Sequence, residues 1–126
     1  MRLFAYIKTN PGSGKTMALP RILLKNEVHL NGAHLLPEMV AIITALRATA
    51  PPTTDNAVWI TSANDGTHMK GSLHYKNRAF DVRILNLTNA DTATSWVEDM
   101  KLVLGIEYDV VLEHNHIHVE FDPKET

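Results

Sequence analysis

The chain has no cysteine among its 126 residues, and several other features are missing. Without cysteine it can form no disulfide and offer no thiolate ligand, so any metal must be bound by His, Asp or Glu. The longest apolar run in the first predicted helix, Met39–Ile43, is far shorter than the ~20 residues that span a bilayer, so no membrane insertion is expected. No run of Lys and Arg is present and the net charge is −2, so no nucleic-acid surface is expected.

The N-terminus lacks the charged segment, apolar stretch and small-residue cleavage site of a signal peptide. We therefore expect a protein that is made in the cytoplasm, with its final localisation unknown. The length suits one domain over residues 1–126. An apolar fraction of 44% and a charged fraction of 21% are typical of an ordinary globular protein rather than a disordered one.

Histidine is unusually frequent, with seven residues in the chain. His29 and His34 flank an Asn-Gly turn signal and are predicted to lie on the surface. The other five are in the second half, at positions 68, 74, 114, 116 and 118. Any chemistry of the protein is therefore expected there.

The hydrophobic pattern predicts an α+β fold, with an antiparallel sheet and two main helices packed on it. The helices are predicted over Leu36–Ala50 and Ala93–Leu104, and Gly105 is expected to end the second one. The buried face of the second helix is predicted to contain Trp96, Met100 and Val103. Predicted strands cover residues 3–7, 58–62, 79–87, 108–113 and 116–121, while Ile22–Leu30 is at best a weak strand or loop.

The last two predicted strands are separated only by His114 and Asn115, which is the spacing of a tight β-hairpin. In that register Glu113 lies opposite His116 and Val111 lies opposite His118. Opposite residues share a face, and side chains alternate along each strand. One face of the hairpin is therefore predicted to carry Val111, Glu113, His116, His118 and Glu120. Two imidazoles and a carboxylate would then converge on one ion, as zinc requires.

A second segment, between Ser72 and Arg83, carries a resemblance to a known family. It resembles the S-x-H-x-x-G-x-A-x-D signature of the zinc D-Ala-D-Ala peptidases, with Asn77 in place of the usual Gly. The residues that match in identity and spacing are Ser72, His74, Ala79 and Asp81. The run from Asp109 to Glu120 is similar to the closing motif of the family. Bacteriophage endolysin peptidases and the amino-terminal domain of Hedgehog proteins have similar zinc sites.

The resemblance implies a fold like that of these proteins, with His74 and Asp81 as the first two zinc ligands. Family members with an H-x-H closing motif use its second histidine, which favours His118 as the third ligand. His116 would then contact the tetrahedral intermediate. In members with an E-x-x-H motif, the glutamate is the general base and the histidine is the zinc ligand. By that alignment Glu113 would be the base and His116 the third ligand. Glu113 is our candidate general base, because a carboxylate beside the metal can take a proton from the attacking water.

Two departures from the family weaken the prediction of catalysis. Some relatives have an acidic residue three positions before the last ligand, where this chain has Asn115, which cannot act as a base. The arginine that holds the carboxylate of the substrate is missing from the stretch 61–66. Candidate replacements are His68, Lys70, Arg78 and Arg83. We assign His68 and Arg83 to substrate binding, with Arg83 more suited to orienting Asp81 or its loop than to direct contact.

The resemblance therefore implies a zinc metallopeptidase that cuts peptide bonds of peptidoglycan stem peptides, as a carboxypeptidase or an endopeptidase. A small protein without a signal peptide suits a bacteriophage lysis or virion-associated protein, which acts on the cell wall after lysis or as part of the particle. The alternative is a non-catalytic zinc module that binds partners. Nucleotide binding by Gly12–Thr16 is disfavoured, because the P-loop pattern needs Gly at position 9, where Thr9 stands.

Overall fold

The structure, a computed structural model, describes residues 18–29, 36–63 and 78–123. Within them, the chain forms one small α+β domain of five strands and two helices, which confirms the predicted class. The elements are β1 (Arg21–Leu24), α1 (Pro37–Thr49), β2 (Ala57–Ser62), β3 (Ala79–Arg83), α2 (Thr92–Leu104), β4 (Tyr108–Leu112) and β5 (His116–Phe121). The strand predicted over residues 3–7 lies outside the described residues.

The five strands form one sheet in the order β1-β2-β3-β5-β4. Three of its strand pairs are antiparallel, but β1 and β2 run parallel, with Leu24 opposite Ile60. The prediction of a purely antiparallel sheet is therefore wrong, and the sheet is mixed. The chain passes from β1 through α1 before it returns as β2, and such a crossover is what allows neighbouring strands to run parallel.

Both helices contribute to a core that covers one face of the sheet. The largest fully buried side chains include Met39, Leu46, Trp96 and Met100 from the helices and Ile60, Phe80 and Ile117 from the strands. Val103 was predicted to belong to this core, but it is 45% exposed. The buried face of α2 consists of positions 93, 96, 97 and 100. Leu104, one helical turn beyond position 100, also packs against the core, and it takes the place predicted for Val103.

The ends of the helices agree with the sequence pattern. Pro37 is the first residue of α1, where its missing N–H costs nothing. Gly105 follows α2 with a φ of +88°, and its N–H donates to the carbonyl of Lys101. A positive φ of this kind favours glycine. Neither helix of the described ranges is long and apolar enough to cross a membrane.

The face of the sheet that points away from the helices is polar. Alternation along β3 and β5 sends Phe80, Val82, Ile117 and Val119 into the core. The intervening side chains point the other way. We call this side the polar face, and its central residues are Asp81, Arg83, His116, His118 and Glu120.

Candidate metal centre

The hairpin of β4 and β5 has the predicted register. Val111 lies opposite His118, and the N–H of Glu113 donates to the carbonyl of His116 at 2.8 Å. The prediction that Glu113 lies opposite His116 is thus confirmed. The two-residue turn fixes the register of the hairpin. A shift by one residue would move the buried apolar side chains to the other face.

The neighbouring strand β3 brings the second predicted motif to the same face. Asp81 lies opposite His118, and Arg83 lies opposite His116. Oδ1 of Asp81 is 2.8 Å from Nδ1 of His118 and 3.6 Å from Nε2 of His116. The structure therefore brings together Asp81 and both candidate histidines, with the Asp81 carboxylate between the two rings.

His118 lies between two carboxylates. Its Nδ1 faces Asp81, and its Nε2 is 2.7 Å from Oε1 of Glu120. Because carboxylate oxygens only accept hydrogen bonds, both contacts favour a ring that carries both protons. The hydrogen bond to Asp81 raises the pKa of His118 most, burial opposes it, and the bond to Glu120 raises it further. The alternation along the predicted strand places Glu120 on this face but indicates no role for it; its position two residues after His118 was the available signal.

The other histidine is oriented by Asn115. Nδ1–H of His116 donates to the amide oxygen of Asn115 at 2.6 Å. Since that oxygen can only accept, the neutral ring has its lone pair on Nε2, the atom that faces Asp81. Asn115 cannot act as a base, and its contact with Nδ1 orients the His116 ring.

Asp81 lies at a distance from one nitrogen of each ring that two ligands of one ion could have, but Asp81, His116 and His118 are not among the described groups whose ligand atoms all lie within 4.8 Å of one another. Two ligands of a tetrahedral zinc ion, each bonded at ~2.0–2.1 Å, are roughly 3.3 Å apart. The distances from Oδ1 of Asp81 to the two imidazole nitrogens, 2.8 and 3.6 Å, lie on either side of that value. Outer carboxylates commonly hold the second nitrogen of a metal-binding histidine, and Glu120 is placed to do so for His118.

Two of the predicted site residues cannot be placed. His74, predicted as a zinc ligand, and His68, predicted to bind substrate, lie outside the described residues. Glu113, the predicted base, is exposed at the end of the hairpin. The described part of the predicted site therefore consists of Asp81, His116 and His118, together with the groups that orient the two rings.

A cavity of about 420 Å³ opens beside Asp81 and His116. The guanidinium carbon of Arg83, which also lines it, is 5.0 Å from the centre of the Trp59 ring. The remaining lining residues are Lys25, Thr61, Ser62, Leu85 and Asn115. Arg83 therefore faces the same space as Asp81 and His116, whereas Glu113 and His118 do not line it.

A group of acidic residues adjoins His118 on the other side. Among the described residues, Asp109, Glu120 and Asp122 each offer an oxygen within 4.8 Å of the others, so that this group could hold a metal ion. The sequence reasoning missed it, although the hairpin register already puts Asp109 opposite Glu120. Groups of this kind are also common on protein surfaces without an ion, and the group contains no histidine of the predicted site.

The chain matches no protein-family model, and no curated protein matches it significantly. The function has to be inferred from the polar face and from the two sequence motifs that meet on it.

Proposed function

We propose that the protein is a zinc-dependent peptidase that cuts peptide bonds in peptidoglycan stem peptides, with its metal held by His74, Asp81 and His118. The observation that supports this most strongly is the 2.8 Å approach of Asp81 to His118. The two residues belong to separate motifs that resemble those of the zinc D-Ala-D-Ala peptidases. Nothing in the local sequence of either motif requires that they meet.

The orientation of the imidazoles supports this assignment. Glu120 accepts a hydrogen bond from Nε2 of His118, so that Nδ1 is directed at Asp81. His116 lies on the far side of the same carboxylate. From this position Nε2 of His116 would contact the tetrahedral intermediate, as the resemblance implies. A zinc ion at this place would polarise the peptide carbonyl and lower the pKa of water.

Glu113 is the proposed general base. It lies opposite His116 at the turn end of the hairpin, and side chains in such pairs have Cβ atoms ~5 Å apart. Its carboxylate takes a proton from the attacking water and returns it to the leaving amine. A peptidoglycan peptidase of this kind suits a bacteriophage lysis or virion-associated protein that reaches the cell wall after lysis or within the particle.

One observation favours a second candidate, a non-catalytic zinc module that binds a partner. Glu113 is exposed and does not line the cavity that contains Asp81 and His116. Asn115 stands where some relatives have an acidic residue, and it is engaged by His116. In the absence of a base, the same ligands would stabilise the fold without cleaving a peptide.

The two candidates differ in whether the protein cleaves peptidoglycan. Zinc content is measured first, and the protein is then incubated with purified peptidoglycan whose fragments are analysed by mass spectrometry. A peptidase releases new stem-peptide fragments, and Glu113→Gln keeps its zinc but loses cleavage by roughly 100-fold or more. Glu107→Gln, which removes an exposed carboxylate just before β4, is the matched control and keeps both. A module contains zinc but releases no fragment, and a protein without zinc refutes both candidates.

The choice of ligand is tested separately. Zinc content after dialysis against a weak chelator is compared for His118→Asn and His116→Asn. Loss of zinc in the first variant and its retention in the second support His118 as the ligand. The opposite result assigns the metal to His116, as the E-x-x-H alignment implies.

A further inference from the structure

We infer that a groove between the end of α2 and β4 binds a lysine-like side chain, which is a primary amine on an aliphatic stem. The stem packs against Ile106 and Val111, and the ammonium group donates hydrogen bonds to Asp109, Glu120 and Asp122. The inference rests on the proposed function only for the source of this side chain, a peptide substrate. Binding of the amine itself is independent of catalysis.

The groove has an apolar wall. It is a cavity of about 520 Å³, and its lining includes Ile106, which is 86% exposed, and Val111, which is 43% exposed. Gly105, with a φ of +88°, turns the chain at the end of α2, and this turn leaves Ile106 between the helix and the start of β4. Two aliphatic side chains that solvent reaches are thus held at one cavity.

The other end of the groove is acidic. Asp109 and Glu120 line it and lie opposite each other on β4 and β5. Together with Asp122, they offer three oxygens that all lie within 4.8 Å of one another. An ammonium group that donates to three oxygens at about 2.8 Å, along tetrahedral directions, holds these oxygens roughly 4.6 Å apart. The limit of 4.8 Å accommodates that spacing.

The two ends together favour a lysine-like side chain over simpler ligands. A divalent cation would use the carboxylates but would leave the apolar wall without a role. A neutral aliphatic side chain would fit the wall but would gain nothing from the negative charge. Long cationic side chains pack their methylene stems along apolar surface and keep the charged head in polar surroundings. A lysine-like side chain therefore matches both ends of the groove.

The charge of the groove is consistent with a cationic ligand. Lys101 also lines the groove, but its ammonium group is paired with Glu98 at 3.4 Å. One oxygen of Glu120 accepts a hydrogen bond from His118. A carboxylate has about four acceptor sites on its two oxygens, so Glu120 can accept from the amine as well.

The groove lies beside the proposed metal ligand His118. Val111 is opposite His118, and β5 separates this side of the polar face from Asp81 on β3. A peptide held at His118 therefore has a neighbouring residue within reach of the groove. The groove would select peptides in which that residue carries an amine.

Binding is tested with small probes that are added to the protein and followed by NMR shifts of its backbone amides. Nα-acetyl-lysine methylamide carries stem and ammonium group, Nα-acetyl-norleucine methylamide has the stem without the charge, and methylammonium has the charge without the stem. We expect saturable shifts around Ile106 and Asp109 with the lysine probe, and binding of the other two that is weaker by roughly tenfold or more. Equal binding of either comparison probe, or no binding of the lysine probe, would overturn the inference.

Two pairs of variants locate the binding. Asp109→Asn should weaken binding of the lysine probe by roughly three- to tenfold, because it removes a charge-assisted hydrogen bond. Asp91→Asn, which alters an exposed carboxylate before α2, should leave it unchanged. Ile106→Ser should weaken binding by a similar factor, whereas Leu102→Ser, which alters an exposed leucine that does not line the groove, should not. Unchanged affinity in either Asp109→Asn or Ile106→Ser would overturn the inference, because the ligand is defined by both ends of the groove.

A metal ion is the competing occupant of the acidic end. Mg²⁺ and Ca²⁺ are therefore titrated alone, in the same NMR experiment. If either ion shifts the amides of Asp109 and Asp122 while the lysine probe does not, the acidic end is a metal site and the inference fails.

The outcome is separable from that of the proposed function. If the protein releases no peptidoglycan fragments but still binds the lysine probe, the peptidase proposal fails and the amine site stands. If it cleaves peptidoglycan but Asp109→Asn and Ile106→Ser bind the probe as the unaltered protein does, the peptidase stands and the amine site fails.

Discussion

Asp81 and His118 lie opposite each other on adjacent antiparallel strands, with Oδ1 of the aspartate 2.8 Å from Nδ1 of the histidine. The contact joins two parts of the chain that are far apart in sequence. Glu120 holds the second nitrogen of the ring, so the imidazole is fixed between two carboxylates. This arrangement favours a positive group between them, which is a proton in the absence of metal.

The first prediction concerns pH and the metal-free protein. The hydrogen bond to Asp81, supported by Glu120, raises the pKa of His118 above 6.5. Such a group contributes stability that is fully present below pH 6.5 and is lost as the pH rises through the pKa of the folded state. We expect the free energy of unfolding, measured by urea denaturation with a chelator present, to fall over that range. In His118→Asn this part of the profile should flatten, and an identical slope in both proteins would contradict the assignment.

The second prediction concerns the carboxylate behind the candidate ligand. Glu120→Ala removes the group that orients His118 without removing a proposed ligand. Loss of such a partner typically weakens metal binding about 10–100-fold, and we expect a change of this size in zinc affinity, measured by competition with a chelating dye. Glu107→Ala serves as the control for loss of one negative charge. Equal affinities in the two variants would show that Glu120 does not act on the metal.

The sequence predicts local structure better than distant contacts. The two-residue turn at His114 and Asn115 fixes the pairing of β4 with β5, so the positions of Glu113 and His116 follow from spacing alone. The contact of Asp81 with His118 requires β3 to lie beside β5, and only the resemblance of the two motifs to one family suggested it. No local pattern contains that information.

Lys25, which lines the cavity beside Asp81 and His116, was not predicted either. It reaches the polar face only because β1 pairs in parallel with β2, and a strand of four residues shows too little alternation to predict its partner or direction. The buried stripe of α2 was misjudged by one position, at Val103 instead of Leu104, because heptad spacing and the 3.6-residue period diverge over three turns.

The third prediction concerns Asp55, which supports Trp59 beneath Arg83. Hydrogen bonds from Trp59 and then Asn86 lower the pKa of Asp55 below its ordinary value of 3.8. This group therefore contributes stability that is present above pH 3.8 and is lost as the pH falls through its folded-state pKa. Because the carboxylate is exposed, Asp55→Ala should cost only about 0.5–1 kcal/mol at neutral pH, as judged by urea denaturation.

Glu107→Ala, which removes an exposed carboxylate just before β4, is the control for the loss of one negative charge. It should change the free energy of unfolding by no more than about 0.5 kcal/mol. An equal loss of stability in the two variants would show that the hydrogen bonds of Asp55 with Trp59 and Asn86 contribute nothing.

The fourth prediction concerns the contact between the two helices. Trp96 is fully buried, and its Nε1–H donates to Oγ1 of Thr49 at 3.1 Å, while the Thr49 hydroxyl donates to the carbonyl of Ala45 at 2.7 Å. Thr49→Val keeps the shape of the side chain but leaves the indole N–H without its acceptor. An unsatisfied buried donor costs about 1–3 kcal/mol, and we expect the free energy of unfolding to fall by that amount.

Thr44 provides the matched control, because it makes the same bond to the carbonyl four residues earlier but lies on the exposed side of α1. Thr44→Val should change the free energy of unfolding by no more than about 0.5 kcal/mol. Trp96→Phe removes the indole donor, so the double variant with Thr49→Val should lose less stability than the sum of the two single variants. Strict additivity would mean that the indole hydrogen bond contributes nothing to the packing of α1 against α2.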